Sequence, residues 1–133
     1  MTDNSKSNQS PVGELVLRTL AMPADTNPNG DIFGGWVLSQ MDIAGGLAAK
    51  QRAQGRVATV AVDAMTFHKP VFVGDVVCCY ALIEKTGTTS ITVRVQAWVN
   101  REARASERIK VTEGVFTYVA IGTDRRPRPV PTE

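Results

Sequence analysis

Cysteine and histidine are nearly missing from this chain. Its 133 residues hold two cysteines and one histidine. The cysteines, Cys78 and Cys79, are neighbours in a strand-like run, where consecutive side chains point to opposite faces, so a disulfide between them is not expected. There is no Cys-x-x-Cys, and His68 stands alone, which argues against a zinc site. Charge of one sign is scarce too: the formal net charge is +2, too small to argue for nucleic acid. No apolar run approaches the ~18 residues of a membrane helix. Met1 to Ser10 is polar and lacks the apolar centre of a signal peptide. These absences lead to the expectation of a cytoplasmic protein with neither a nucleic-acid nor a membrane partner.

What is present reads as one ordinary globular domain. The hydrophobic share is 43% and the charged share 21%, and the length suits a single core. Residues 1–11 are Ser/Asn/Gln-rich and end in Pro11, which predicts a flexible tail. Glu14 to Met22 is apolar, stopped by Pro23, and reads as a first strand. Residues 23–33 are dense in Pro, Asn, Gly and Asp and read as a loop.

Gly35 to about Ala53 is the one long helical candidate. Nineteen residues would span about 28 Å at ~1.5 Å per residue. It has little polar face before Lys50-Gln51-Arg52, and Gly55 suits its C-terminal stop. A helix apolar nearly all round is expected to be buried on most sides. Gly45 and Gly46 each cost about 1 kcal/mol there, which suggests that other backbone comes close.

The remainder reads as strands: Val57 to Phe67, Val76 to Lys85, Ser90 to Asn100 and Arg108 to Ile121. The third of these alternates cleanly, with Ile91, Val93, Val95, Ala97 and Val99 on one face and Thr92, Arg94, Gln96 and Trp98 on the other. That is the period of an antiparallel strand. Gly74-Asp75 reads as a turn. Residues 123–133 are Arg/Pro-rich and predict a flexible, extended tail. The order is one strand, one helix, then four strands. A helix enclosed by a curved antiparallel sheet satisfies it, and Arg94 and Trp98 on the outer face hint at another subunit there.

Asp42 breaks the helix pattern. A carboxylate among Leu38, Met41, Ile43 and Leu47 is a poor helix former and costly to bury unpaired. Catalysis is one reason to retain it; a solvated stripe or a backbone bond is another. The preceding run Asn27-Pro28-Asn29-Gly30-Asp31-Ile32-Phe33-Gly34-Gly35-Trp36-Val37-Leu38-Ser39-Gln40-Met41-Asp42 resembles the hotdog-fold acyl-CoA thioesterases, in particular the bacterial YciA-type group. The resemblance continues through Arg56 to Tyr80, including Phe67-His68-Lys69-Pro70-Val71-Phe72-Val73-Gly74-Asp75. It extends more weakly to Val115-Phe116-Thr117-Tyr118-Val119-Ala120, and covers residues 12–122 as one domain.

The resemblance implies an α+β hotdog fold, a five-stranded antiparallel sheet wrapped around one long central helix. It implies homodimers with shared active sites, often assembled as trimers of dimers. It matches Asp42 to the family's catalytic carboxylate, Asn27 and Asn29 to polar partners on the preceding loop, and Asp63 to an acidic position near the same interface. The expected reaction is hydrolysis of acyl-CoA to free CoA and a carboxylic acid, with no cofactor. The alternatives are a hotdog hydratase or dehydratase, which would want a His with an acidic partner, and an acyl-CoA sensor, which would want an effector segment.

Thioester hydrolysis needs an activated water or nucleophile and a stabilised oxyanion. Asp42 can be general base or nucleophile. Gly34 and Gly35 at the helix entrance can offer unpaired N–H groups to the carbonyl, or can simply relieve crowding. Asn27 can position water or hold the loop by Asx bonds. Asp31 is most simply a cap or dipole partner. Asp63 can pair across the interface or face the site. His68 reads as a surface or interface residue. Arg56 and Lys69, with Arg101, Arg104 and Arg108, are candidates for the CoA phosphates.

Overall fold

The computed structural model describes residues 10–100 and 108–132. The expectations for residues 1–9, Arg101 and Arg104 lie outside them. The elements are β1 (Glu14–Leu20), a 3₁₀ turn (Pro23–Asp25), α1 (Gly34–Ala53), β2 (Val57–Phe67), β3 (Val76–Thr86), β4 (Ser90–Asn100) and β5 (Arg108–Ala120). The strands form one antiparallel sheet in the order β1-β3-β4-β5-β2. The long β4 alternation sets the core: Ile91, Val93, Val95, Ala97 and Val99 are all buried, against Val37, Met41, Ala44 and Ala49 of α1. Burying a side chain of Met41's size is worth roughly 1.5–3 kcal/mol, so this seam is a large part of what holds helix to sheet.

The helix is buried on one side only. Ile43 and Leu47 are each 48% exposed on the other, so the expectation of burial on most sides fails within one protomer. Nor does backbone come close to its glycines. A Cβ at Gly45 would meet the Tyr118 hydroxyl at 2.4 Å and Val95 Cγ2 at 3.1 Å, so side chains fill that space. The C-terminal stop also differs. Gln54, not a glycine, takes the left-handed conformation (φ 55°, ψ 42°). Gly55 instead makes room for Arg128, whose Nη2 would lie 2.5 Å from a Cβ there.

Arg128 is why residues 123–132 are not a free tail. Its Nη2 donates to Ala53 O at 2.9 Å and its Nε to Ile121 O at 3.2 Å. A cation on the last carbonyls of a helix is favourable. Arg52 Nη1 donates to Pro131 O at 2.6 Å, and Val130 is buried. The prolines keep the segment extended, but it lies against the body of the domain.

The outer-face hint at Arg94 and Trp98 also needs correction. Trp98 is already 3% exposed, its Nε1 donating to Gln96 Oε1, which accepts the Val12 N–H as well. Arg94 is held by Glu84 and Glu113. The exposed large apolar side chains lie elsewhere: Ile43 and Leu47 on α1, Val60, Val62 and Phe67 on the edge strand β2, Leu15 and Leu20 on the other edge strand β1, Leu82 on β3, and several more in the loops. Gly74-Asp75 is the expected turn, with Gly74 at φ 92° and Asp75 Oδ2 accepting the Phe72 N–H at 2.9 Å.

Candidate active site

Asp42 faces the sheet at half burial, and its carboxylate is bonded. Thr59 Oγ1 donates to Oδ1 at 2.8 Å. The Tyr118 hydroxyl lies 3.0 Å from the same Oδ1 and 3.0 Å from the Asp42 carbonyl oxygen. Thr59 on β2 and Tyr118 on β5 are directly opposed in the ladder, so one cross-strand pair presents two hydroxyls to one oxygen. Burial first, then the Asp42 charge and the bond to it, push the Tyr118 phenol well above its ordinary range. It therefore stays protonated and remains a donor.

Two grooves meet at Asp42. One, about 270 Å³, is lined by Gly35, Leu38, Ser39, Asp42, Thr59, Val62 and Phe116. The other, about 300 Å³, runs past Ile43, Gly46 and Leu47 to Lys50, Arg56 and Val57. The first is mostly apolar; the second carries two cations. A carboxylate at the junction of an apolar and a basic groove can act on an ester whose two ends differ in that way.

The helix entrance separates the two candidate glycines. Gly35 lines the Asp42 groove, and a Cβ there would meet nothing within 4 Å. Gly34 faces the Phe67 ring instead, in a groove with His68 and Lys69. The Trp36 and Val37 N–H groups both donate to Phe33 O. Among the described residues no bond uses the N–H of Gly34 or Gly35, so both remain open donors, that of Gly35 at the Asp42 groove.

Asn27 is a loop organiser in this protomer. Its Oδ1 accepts the N–H of Asn29 at 2.9 Å and of Asp31 at 3.1 Å. Asp31 is not a cap: the N-cap position is Phe33, and no side chain caps the helix. The loop closes on itself through Asn27 N–H to Asp31 O and a Thr26–Ile32 bridge, which keeps Asp31 short of the helix. Asp63 is exposed on β2 just before a break in register, with Ala64 at φ 55°. Thus Asp42, Gly35 and Arg56 come together, while Asn27, Asn29, Asp31, Asp63, Gly34 and Lys69 line neither Asp42 groove. His68 sits in the groove of Gly34, apart from Asp42, so the His–acid pair of a dehydratase is not assembled among the described residues. Thr59, Tyr118, Ser39 and Lys50 were not singled out from sequence. A hydroxyl in the otherwise aliphatic first half of β2, Val57 to Val62, was the available signal for Thr59.

One long helix bearing a carboxylate against a five-stranded antiparallel sheet is the layout of a hotdog-fold thioesterase. Residues 29–105 match the model of the thioesterase superfamily. The chain is 59% identical over 128 residues to the acyl-CoA thioester hydrolase YciA of Salmonella typhimurium, covering 95% of this chain and 96% of that one. Its fold superposes on the hexameric thioesterase of Yersinia pestis with a TM-score of 0.89, at 61% identity and covering 93% of this chain and 100% of that one. It superposes on the hexameric hotdog fold thioesterase of Campylobacter jejuni with a TM-score of 0.84, at 42% identity, covering 90% and 91% of the two chains. The chain belongs to the thioesterase superfamily and, within it, to the YciA-type acyl-CoA thioester hydrolases.

Proposed function

We infer that this protein hydrolyses acyl-CoA thioesters, releasing free CoA and a carboxylic acid. The observation that carries this is the Asp42 carboxylate, fixed by Thr59 and Tyr118 where an apolar and a basic groove join. The acyl chain lies along Leu38, Val62 and Phe116. The CoA phosphates lie toward Arg56 and Lys50, where forked and point-charge donors suit them. The thioester carbonyl then sits beside Gly35, whose N–H stabilises the oxyanion. Asp42 takes a proton from water as that water adds to the carbonyl, or attacks the carbonyl itself to give an anhydride that water opens. Either way the carbon–sulfur bond breaks and CoA thiolate leaves.

The working form on this reading is a homo-oligomer built from dimers, three dimers to a hexamer, with each site completed across the dimer. The groups that line no Asp42 groove in one protomer, Asn27, Asn29, Asp31, Asp63, Gly34 and Lys69, contribute there. The site of action is the cytosol, and no metal or cofactor takes part. Free-thiol release measured over a panel of acyl-CoA esters, with and without a chelator, tests this. Turnover of at least one ester, unchanged by chelation, is expected; no thiol release from any ester would overturn the activity, and loss on chelation would overturn the metal-free chemistry.

Gly35→Val separates rate from binding. A Cβ at Gly35 meets nothing within 4 Å in one protomer, and the added methyls of valine stand where the carbonyl must approach the N–H. The expected result is a fall in kcat of about tenfold or more, the scale of losing part of an oxyanion site, with free-CoA affinity within about twofold. Equal losses in rate and CoA affinity would leave Gly35 a spacer only.

A further inference from the structure

The phenol of Tyr118 is buried where a phenylalanine ring would pack as well. The ring stacks with Phe116, centroids 6.3 Å apart. A buried hydroxyl is unfavourable unless bonded, and its bonds go only to Asp42 among the described residues, Oδ1 and the main-chain oxygen, each at 3.0 Å. The helix is cut away to admit it. A Cβ at Gly45 would lie 2.4 Å from the hydroxyl and 3.1 Å from Cζ. Glycine inside a helix is disfavoured against alanine, and alanine here would drive the phenol off Asp42. Gly45 is one turn on from Asp42, on the same side of α1. Thr59 and Tyr118 thus converge on Oδ1, and no described residue donates to Oδ2.

We propose that Tyr118, seated by Gly45, is a positioning residue for hydrolysis: with Thr59 it pins Asp42 Oδ1, so that Oδ2 is the oxygen that meets the water or the thioester. This rests on the reading of Asp42 as the reacting carboxylate. The charged groups that share the grooves of Asp42 are Lys50 from α1 and Arg56 from the turn before β2. From β5 comes Tyr118; β4 turns only apolar side chains inward, and β3 adds the buried Cys79, whose thiol burial pushes up to about 12. Asp63 of β2 lines neither groove. Removing the phenol hydroxyl therefore changes one donor and no charged group in that set.

Tyr118→Phe in the assembled full-length protein is the test. Expected are native circular dichroism and oligomer size, kcat down about tenfold, as a slight misplacement of a reacting group can cause, and KM within about twofold. A merely structural tyrosine would lower the melting temperature and leave kcat unchanged at a temperature where the variant is folded, which would overturn the proposal. Asp42→Asn run in parallel keeps the two readings apart. If it retains turnover, the carboxylate reading itself fails; if it is dead while Tyr118→Phe matches wild type in kcat, only the positioning fails. Gly45→Ala should reproduce the kcat loss or fail to fold, and should do less harm in the Tyr118→Phe background, where the hydroxyl it strikes is gone. Equal harm in both backgrounds would overturn the seating role of Gly45.

Discussion

Asp42→Asn is expected to cut acyl-CoA turnover by ~10²–10⁴-fold, the typical cost of losing a general base, with the fold intact. The amide oxygen still accepts from Thr59 and Tyr118 as Oδ1 does, so the packing around residue 42 survives. What changes is the atom at Oδ2, which becomes an NH₂ donor and can neither take a proton from water nor attack a carbonyl. Free-CoA binding should be held within about threefold, because the basic residues Lys50 and Arg56 are untouched. Steady-state thiol release, a thermal melt and CoA titration on the same preparation measure all three. Turnover within a few-fold of wild type in a properly assembled variant would take Asp42 out of the mechanism.

The architecture was readable because each element announces itself by period. The β4 alternation placed five aliphatics inward, and all five are buried. The helix showed as the one long apolar stretch between turn signals, and its bounds differ by a single residue, Gly34 rather than Gly35. The candidate carboxylate Asp42 stood out because an acid among apolar neighbours demands a partner. Its partners did not. Thr59 and Tyr118 are 17 and 76 residues from Asp42 in the chain, and only the β2–β5 register brings them to one oxygen. A bulge lies beside Thr59, which shifts which β2 side chains face the helix and defeats simple alternation. Gly45 was read as relief for backbone, whereas the bulk it admits is a side chain. The docked C-terminal segment escaped notice for a related reason: Pro and Arg composition describes an extended chain, but the carbonyls at the end of α1 that Arg128 finds are a tertiary feature.

Val60→Lys is expected to yield a folded monomer with turnover lowered more than tenfold. The two sheet edges are unequal. β1 is seven residues and carries Glu14 and Arg18, whereas β2 is eleven residues whose one charge is Asp63. Val60 is 57% exposed, Val62 39% and Phe67 47%. Edges are normally guarded by charge, proline or brevity, and an apolar edge of this length left open invites association. In the proposed shared-site dimer, pairing with a second copy would cover it and bring that copy's β2, with Asp63, toward the first copy's Asp42. A lysine ammonium at position 60 would be desolvated in such a joint, which costs several kcal/mol when unpaired, yet it stays in water in the monomer. Light scattering with a parallel assay reads both effects. If Asp63→Asn also proves inactive, mixing it with Asp42→Asn gives mixed dimers in which one site carries both substitutions and the other carries neither, so activity should partly return. A Val60→Lys monomer with full activity at low protein concentration would show that one chain holds the whole site, and the shared-site arrangement would have to be abandoned.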